Sequence, residues 1–91
     1  MAADLEEKTA RYERLLAAGL EAAEPAADAD AEAAAECSEM ARSYLEDGRH
    51  FAEEDDPVNA LAAFSYGHGW LDAGVRLGLF EVPEGHPSFA M

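Results

Sequence analysis

Several things this chain lacks narrow its reading. It has one cysteine, Cys37, so no internal disulfide can staple it and a reducing compartment suits it. Of its 6 basic residues only Lys8 is a lysine, and no basic stripe or nucleic-acid reading motif is present. No apolar run approaches the roughly 18 residues a membrane span needs, and the N-terminus is acidic where a secretory signal would be basic. The expectation is therefore a cytoplasmic protein with no membrane partner, and the basic residues argue against nucleic acid without excluding it. Large core-forming side chains are scarce, since alanine supplies much of the 49% hydrophobic content. With 91 residues there is room for one domain, and a chain this short buries only about 60–65% of its unfolded surface.

Acid dominates the charge of the chain. Its 20 aspartates and glutamates give a formal net charge of -14. They are spread over every solvent-facing stretch, which fits adaptation to a salt-saturated cytoplasm better than an acidic docking patch. At molar salt the Debye length is about 3 Å, so this charge cannot steer a partner from a distance. In dilute buffer the same carboxylates repel one another and weaken the compact state.

Three helical segments follow from periodicity and punctuation. The first spans about residues 2–23, with Asp4 as a cap and Leu5, Thr9, Tyr12, Leu16, Gly19 and Ala23 on one face. Pro25 breaks it. The second spans about 30–53, capped from Asp28 or Asp30, with Ala33, Cys37, Met40, Ala41, Tyr44 and Phe51 as its stripe. Cys37 on that stripe reads as a structural thiol and not as a nucleophile. The Glu54-Asp55-Asp56-Pro57 junction caps a third helix over about 57–78, and so short a connection forces an antiparallel pair. Turn chemistry without periodicity predicts a flexible tail over 83–91. The fold class is thus all-α: a three-helix up-and-down bundle over 1–82, followed by an irregular tail.

The third helix draws attention because two apolar stripes can be drawn on it. Leu61, Phe64, His68, Leu71, Val75 and Leu79 form one, and Asn59, Tyr66, Trp70, Ala73 and Leu77 the other. Such a helix packs against two neighbours. Ala60, Ala63, Gly67, Gly74 and Gly78 form a third, small-residue strip. Gly67, Gly69 and Gly74 together cost roughly 3 kcal/mol of helix propensity relative to alanine, which close approach of a partner could offset.

The run from His68 to Gly74 (HGWLDAG), with Tyr66, Leu77-Gly78-Leu79, Tyr44, Asp55-Asp56 and Asn59-Ala60, resembles an archaeal family of uncharacterised proteins, the domain of unknown function numbered 357. The resemblance covers roughly Leu5 to Val82 and implies a short three-helix bundle. It implies no activity. Together with the charge, it points to a halophilic archaeon.

Chemistry-bearing residues are few. His68 and Asp72 could offer a metal two ligands, but a zinc site wants three or four. Ser65, His68 and Asp72 have the residue types of a triad, yet on one helix they run side by side with no oxyanion hole. No catalytic residue, metal site or cofactor is therefore assigned. The best candidates for binding are Tyr66, Gly67, His68, Trp70, Asp72, Gly74 and Arg76, because aromatics and arginine dominate hot spots and small residues admit a close partner. The preferred reading is a non-catalytic interaction module whose partner is another protein or a second copy in a homodimer. The rivals are a ligand pocket around Tyr66, His68, Trp70, Asp72 and Arg76, and a nucleic-acid accessory surface where Arg42, Arg49 and Arg76 converge.

Overall fold

The computed structural model describes residues 4–89. Helix α1 (Leu5–Ala22) begins where the Asp4 carboxylate accepts the Glu7 backbone N–H. Helix α2 (Ala31–Glu53) begins at Asp30, whose carboxylate takes the N–H groups of Glu32 and Ala33. Helix α3 (Pro57–Arg76) begins at Asp56, which accepts the Asn59 N–H, with Pro57 in the first turn. Each cap satisfies donors that a helix start leaves without an intrahelical partner. Residues 2–3, where the sequence starts its first helix, lie outside the described residues.

Two helix ends use the same closing device. After α2, Asp55 adopts a left-handed φ of 63°, and the N–H groups of Asp55 and Asp56 reach back to the carbonyls of Ala52 and Phe51. After α3, Gly78 (φ 80°) and Leu79 do the same to Val75 and Gly74. This double back-bond is a Schellman closure. Gly78 adopts it without steric cost, so α3 ends at Arg76, two residues before the expected position.

The helices run up, down and up. Thr9 near the start of α1 is buried and its hydroxyl donates to the Leu5 carbonyl, with the Pro57 carbonyl at 3.4 Å. Leu16, Leu45, Phe64, Leu71 and Phe80 supply the large buried side chains, with Ala34, Ala41, Ala60 and Ala63 between them. Cys37 is half-buried at the edge of this core.

Close approach compensates for this small core. A Cβ on Gly48 of α2 would overlap the Phe64 ring, so the ring sits where another residue would carry its side chain. Across the same seam, a Cβ on Gly67 would stand 2.9 Å from Tyr44 Cβ, 3.0 Å from Leu16 Cδ2 and 3.1 Å from the Ala41 carbonyl oxygen. A Cβ on Gly74 would meet the Phe80 ring at 2.5 Å. The strip of Ala60, Ala63, Gly67 and Gly74 is therefore the buried seam of α3.

One expectation is corrected here. The stripe of Asn59, Tyr66, Trp70, Ala73 and Leu77 is not a second packed face: Asn59, Tyr66, Ala73 and Leu77 are exposed and Trp70 is half-buried. Alpha3 does have two helical neighbours, but it reaches both through its small strip and the Phe64–Leu71 stripe. The bundle ends in a short C-terminal tail, as expected, of which residues 90–91 lie outside the described residues. Glu24–Pro25 (β1) and Phe80–Glu81 (β2) form a two-stranded antiparallel pair, with Pro25 opposite Phe80. Beyond it Pro87–Phe89 forms a 3-10 turn seated on α1 and α3.

The Gly48–Phe64 contact generates a prediction. Replacing Gly48 with alanine forces a fully buried ring to move, and overpacking of this kind costs about 1–3 kcal/mol. This loss is expected although alanine favours helix. Chemical denaturation of the Gly48→Ala variant at constant salt measures it.

Candidate functional site

The seven candidate binding residues of α3 divide into three groups. Gly67 and Gly74 point inward, and the bundle itself fills their missing side chains. His68 turns toward α1 and the C-terminal segment. Tyr66, Asp72 and Arg76 reach the solvent side, with Trp70 half-buried beside them. Among the described residues, His68 lines one hollow while Tyr66 and Trp70 line another.

The inward histidine has a structural task. Its Nε2 lies 2.6 Å from the Ser88 carbonyl oxygen, which can only accept, so Nε2 carries the hydrogen. Ser88 is buried, and its hydroxyl donates to the Leu15 carbonyl at 2.7 Å. Its N–H donates to His86 Nδ1 at 3.1 Å. The Phe89 ring stacks on His68 with centroids 6.1 Å apart. Gly19 leaves the seat open: a Cβ there would meet Phe89 Cζ at 3.1 Å and Ser88 Cβ at 3.2 Å. A hollow of about 280 Å³ remains beside this latch, lined by Tyr12, Leu15, Ser65, His68, Pro87 and Ser88. Sequence reasoning missed Ser88 because its three hydrogen bonds join segments 20 and 73 residues apart as well as a near neighbour.

The triad types stay apart in role. Ser65 is exposed, His68 is committed to Ser88, and Asp72 pairs with Arg76 at 3.1 Å on the surface. Among the described residues, no three His, Cys, Asp or Glu side chains stand together as metal ligands. Among the described residues, no helix is long and apolar enough to cross a membrane. The arginines do not converge on one surface. Arg49 pairs with Glu13 at 2.7 Å near the α2–α3 junction, whereas Arg76 closes the far end of a helix about 30 Å long.

The outward side of α3 is different. Among the described residues, the exposed large hydrophobic side chains are Val58, Tyr66 and Leu77, and all three lie there. At 100° per residue, Val58, Ala62, Tyr66, Gly69, Ala73 and Leu77 fall within one arc of about a quarter turn. The Tyr66 ring is 60% exposed and stands edge-on to Tyr44 of α2, with centroids 4.7 Å apart. Shallow hollows lie on either side of it, one over Gly69 and Ala73 and the other over Ala62 and Phe51. A Cβ on Gly69 would meet nothing within 4 Å. Arg76 stands at the angle of Val58, at the edge of the arc, and pairs with Asp72 just outside it. Of these six only Tyr66 was among the expected binding residues, because a helix this rich in alanine and glycine does not declare which small-residue face is buried.

The family profile described as "Protein of unknown function (DUF357)" matches residues 11–80, which takes in most of α1 and all of α2 and α3. No curated protein and no solved structure matches the chain.

The latch generates a prediction of its own. Replacing His68 with alanine removes the bond to Ser88 and the stacking on Phe89, while the Phe64–Gly48 seam is untouched. The bundle is expected to stay folded with about 1 kcal/mol less stability. The amides of Ser88 and Phe89 are expected to lose hydrogen-exchange protection and show fast motion in ¹⁵N relaxation.

Proposed function

The chain belongs to this family of proteins of unknown function, and from that premise we propose that it is a small non-catalytic interaction module that binds a protein through the outward face of α3, working in the salt-rich cytoplasm of a halophilic archaeon. The observation that carries the reading is that Val58, Tyr66 and Leu77 are left exposed together on one arc of one helix. Single exposed apolar residues are ordinary, whereas a contiguous set marks a contact surface.

Charge supports the same surface. The acids are not spread over every solvent-facing stretch as expected: between Pro57 and Phe80 the chain carries one, Asp72, although it holds 20 in all. An interface core is depleted of charge and enriched in tyrosine and tryptophan. Tyr66 and Trp70 meet that description, and Gly69 leaves room beside them. Carboxylates cover the remaining exposed surfaces and keep them hydrated in concentrated salt. His68 is bonded to Ser88 and Asp72 to Arg76, which gives both side chains structural work within the bundle.

Affinity capture of the tagged chain from a lysate held at molar potassium chloride tests this, with a Tyr66→Lys variant alongside. A polypeptide retained in stoichiometric amount by the parent and reduced tenfold or so by the variant is the expected result. Equal retention by both, or none by either, would contradict it.

A further inference from the structure

We propose that the partner of the outward α3 face is a second copy of the same chain, docked across a two-fold axis with the two α3 helices antiparallel. This rests on the interaction-module reading and names its partner. In a two-fold contact, residue i of one copy meets residue j of the other and j meets i. Place the axis midway between Gly67 and His68, and the exposed arc pairs with itself. Val58 then stands opposite Leu77, Ala62 opposite Ala73, and Tyr66 opposite Gly69. The protruding Tyr66 ring meets the hollow over Gly69, where nothing lies within 4 Å of a Cβ position. At the margins the same axis sets Trp70 opposite Ser65, and Arg76, still held by Asp72, opposite Asn59.

Charge argues for a copy over an oppositely charged partner. A basic protein would be drawn to the acidic faces, and seating it on the α3 arc would strip water from its cations without providing carboxylates in return. Two copies, each at -14, repel wherever their acid faces meet. The α3 arc is where they can touch with carboxylates kept to the rim. Small residues at the centre let the helix axes approach to about 8 Å, and antiparallel helix dipoles attract. The outer strip of α3 alone offers roughly 300 Å² per copy. Specific interfaces bury about 800 Å² per partner, so the contact must include Tyr44 and Phe51 of α2.

Sedimentation equilibrium of the full chain across concentration and salt tests the proposal. The expected result is a monomer–dimer equilibrium that tightens as potassium chloride rises from tenths of molar to molar, because screening removes the repulsion. Gly69→Glu, at an exposed position with free space, is expected to stay helical and become monomeric at every concentration. In a Cys37→Ala background, oxidising an equal mixture of Ala62→Cys and Ala73→Cys chains is expected to give the mixed disulfide far above the twofold excess over each like pair that random pairing produces. A strict monomer at molar salt and concentrations on the order of 1 mM would overturn the proposal. So would a dimer indifferent to Gly69→Glu, or a mixed disulfide at no more than that twofold excess. If the chain stays monomeric but still captures a different protein through Tyr66, the second copy is wrong and the interaction module stands. If it does neither, both are wrong.

Discussion

The bundle depends on one contact in which a side chain is replaced by a ring. Phe64 lies fully buried where Gly48 has no Cβ, and this lets α2 and α3 approach at the distance a thin core requires. A chain with few large apolar residues cannot fill a wide interior, so it narrows the interior. Alanine along the seam and glycine at 48, 67 and 74 serve that end, and the helix propensity lost at each glycine is recovered as packing. Phe80 repeats the arrangement against Gly74, which fixes the chain as it leaves α3 and brings β2 to β1. The latch at Ser88 then closes the remaining side over Gly19.

Once the inward strip of α3 is committed to the bundle, the opposite side must face water. Elsewhere the chain covers water-facing sides with carboxylates. On α3 it places tyrosine, leucine, valine, alanine and glycine there instead. Leaving that side apolar costs solubility, and a very acidic protein has solubility in excess. The acid coat and the bare face are complementary: repulsion between carboxylates is weakest at the face that lacks them. High salt weakens the repulsion and strengthens apolar association.

Much of this was legible in the residues. Asp4, Asp30 and Asp56 act as caps, and Pro57 opens its helix, because capping is a local property of a few adjacent residues. The α1 face through Thr9, Leu16 and Gly19 follows from a clean polar–apolar contrast. On α3 the contrast fails, because it carries small and apolar residues nearly all round. The buried strip of Ala60, Ala63, Gly67 and Gly74 could not be told from the outward one of Ala62, Gly69 and Ala73 by period alone. Which strip faces inward is decided by Phe64 and Gly48, on two different helices. The seat of Ser88 was illegible for a related reason. Pro83, Gly85 and Pro87 signal turns, while the partners that hold Ser88 lie far away in sequence on α1 and α3.

The claim that α3 is divided into an inward and an outward small-residue face is tested most directly by two substitutions two residues apart. Alanine at Gly67 and alanine at Gly69 add the same methyl group to the same helix, and their unfolding free energies can be compared at concentrations where the chain is monomeric. At Gly67 the methyl meets Tyr44, Leu16 and the Ala41 carbonyl, and a loss of about 1–3 kcal/mol is predicted. At Gly69 it meets nothing, and a gain of about 0.5–1 kcal/mol is predicted from helix propensity alone. Changes of the same sign and size at both positions would contradict the account.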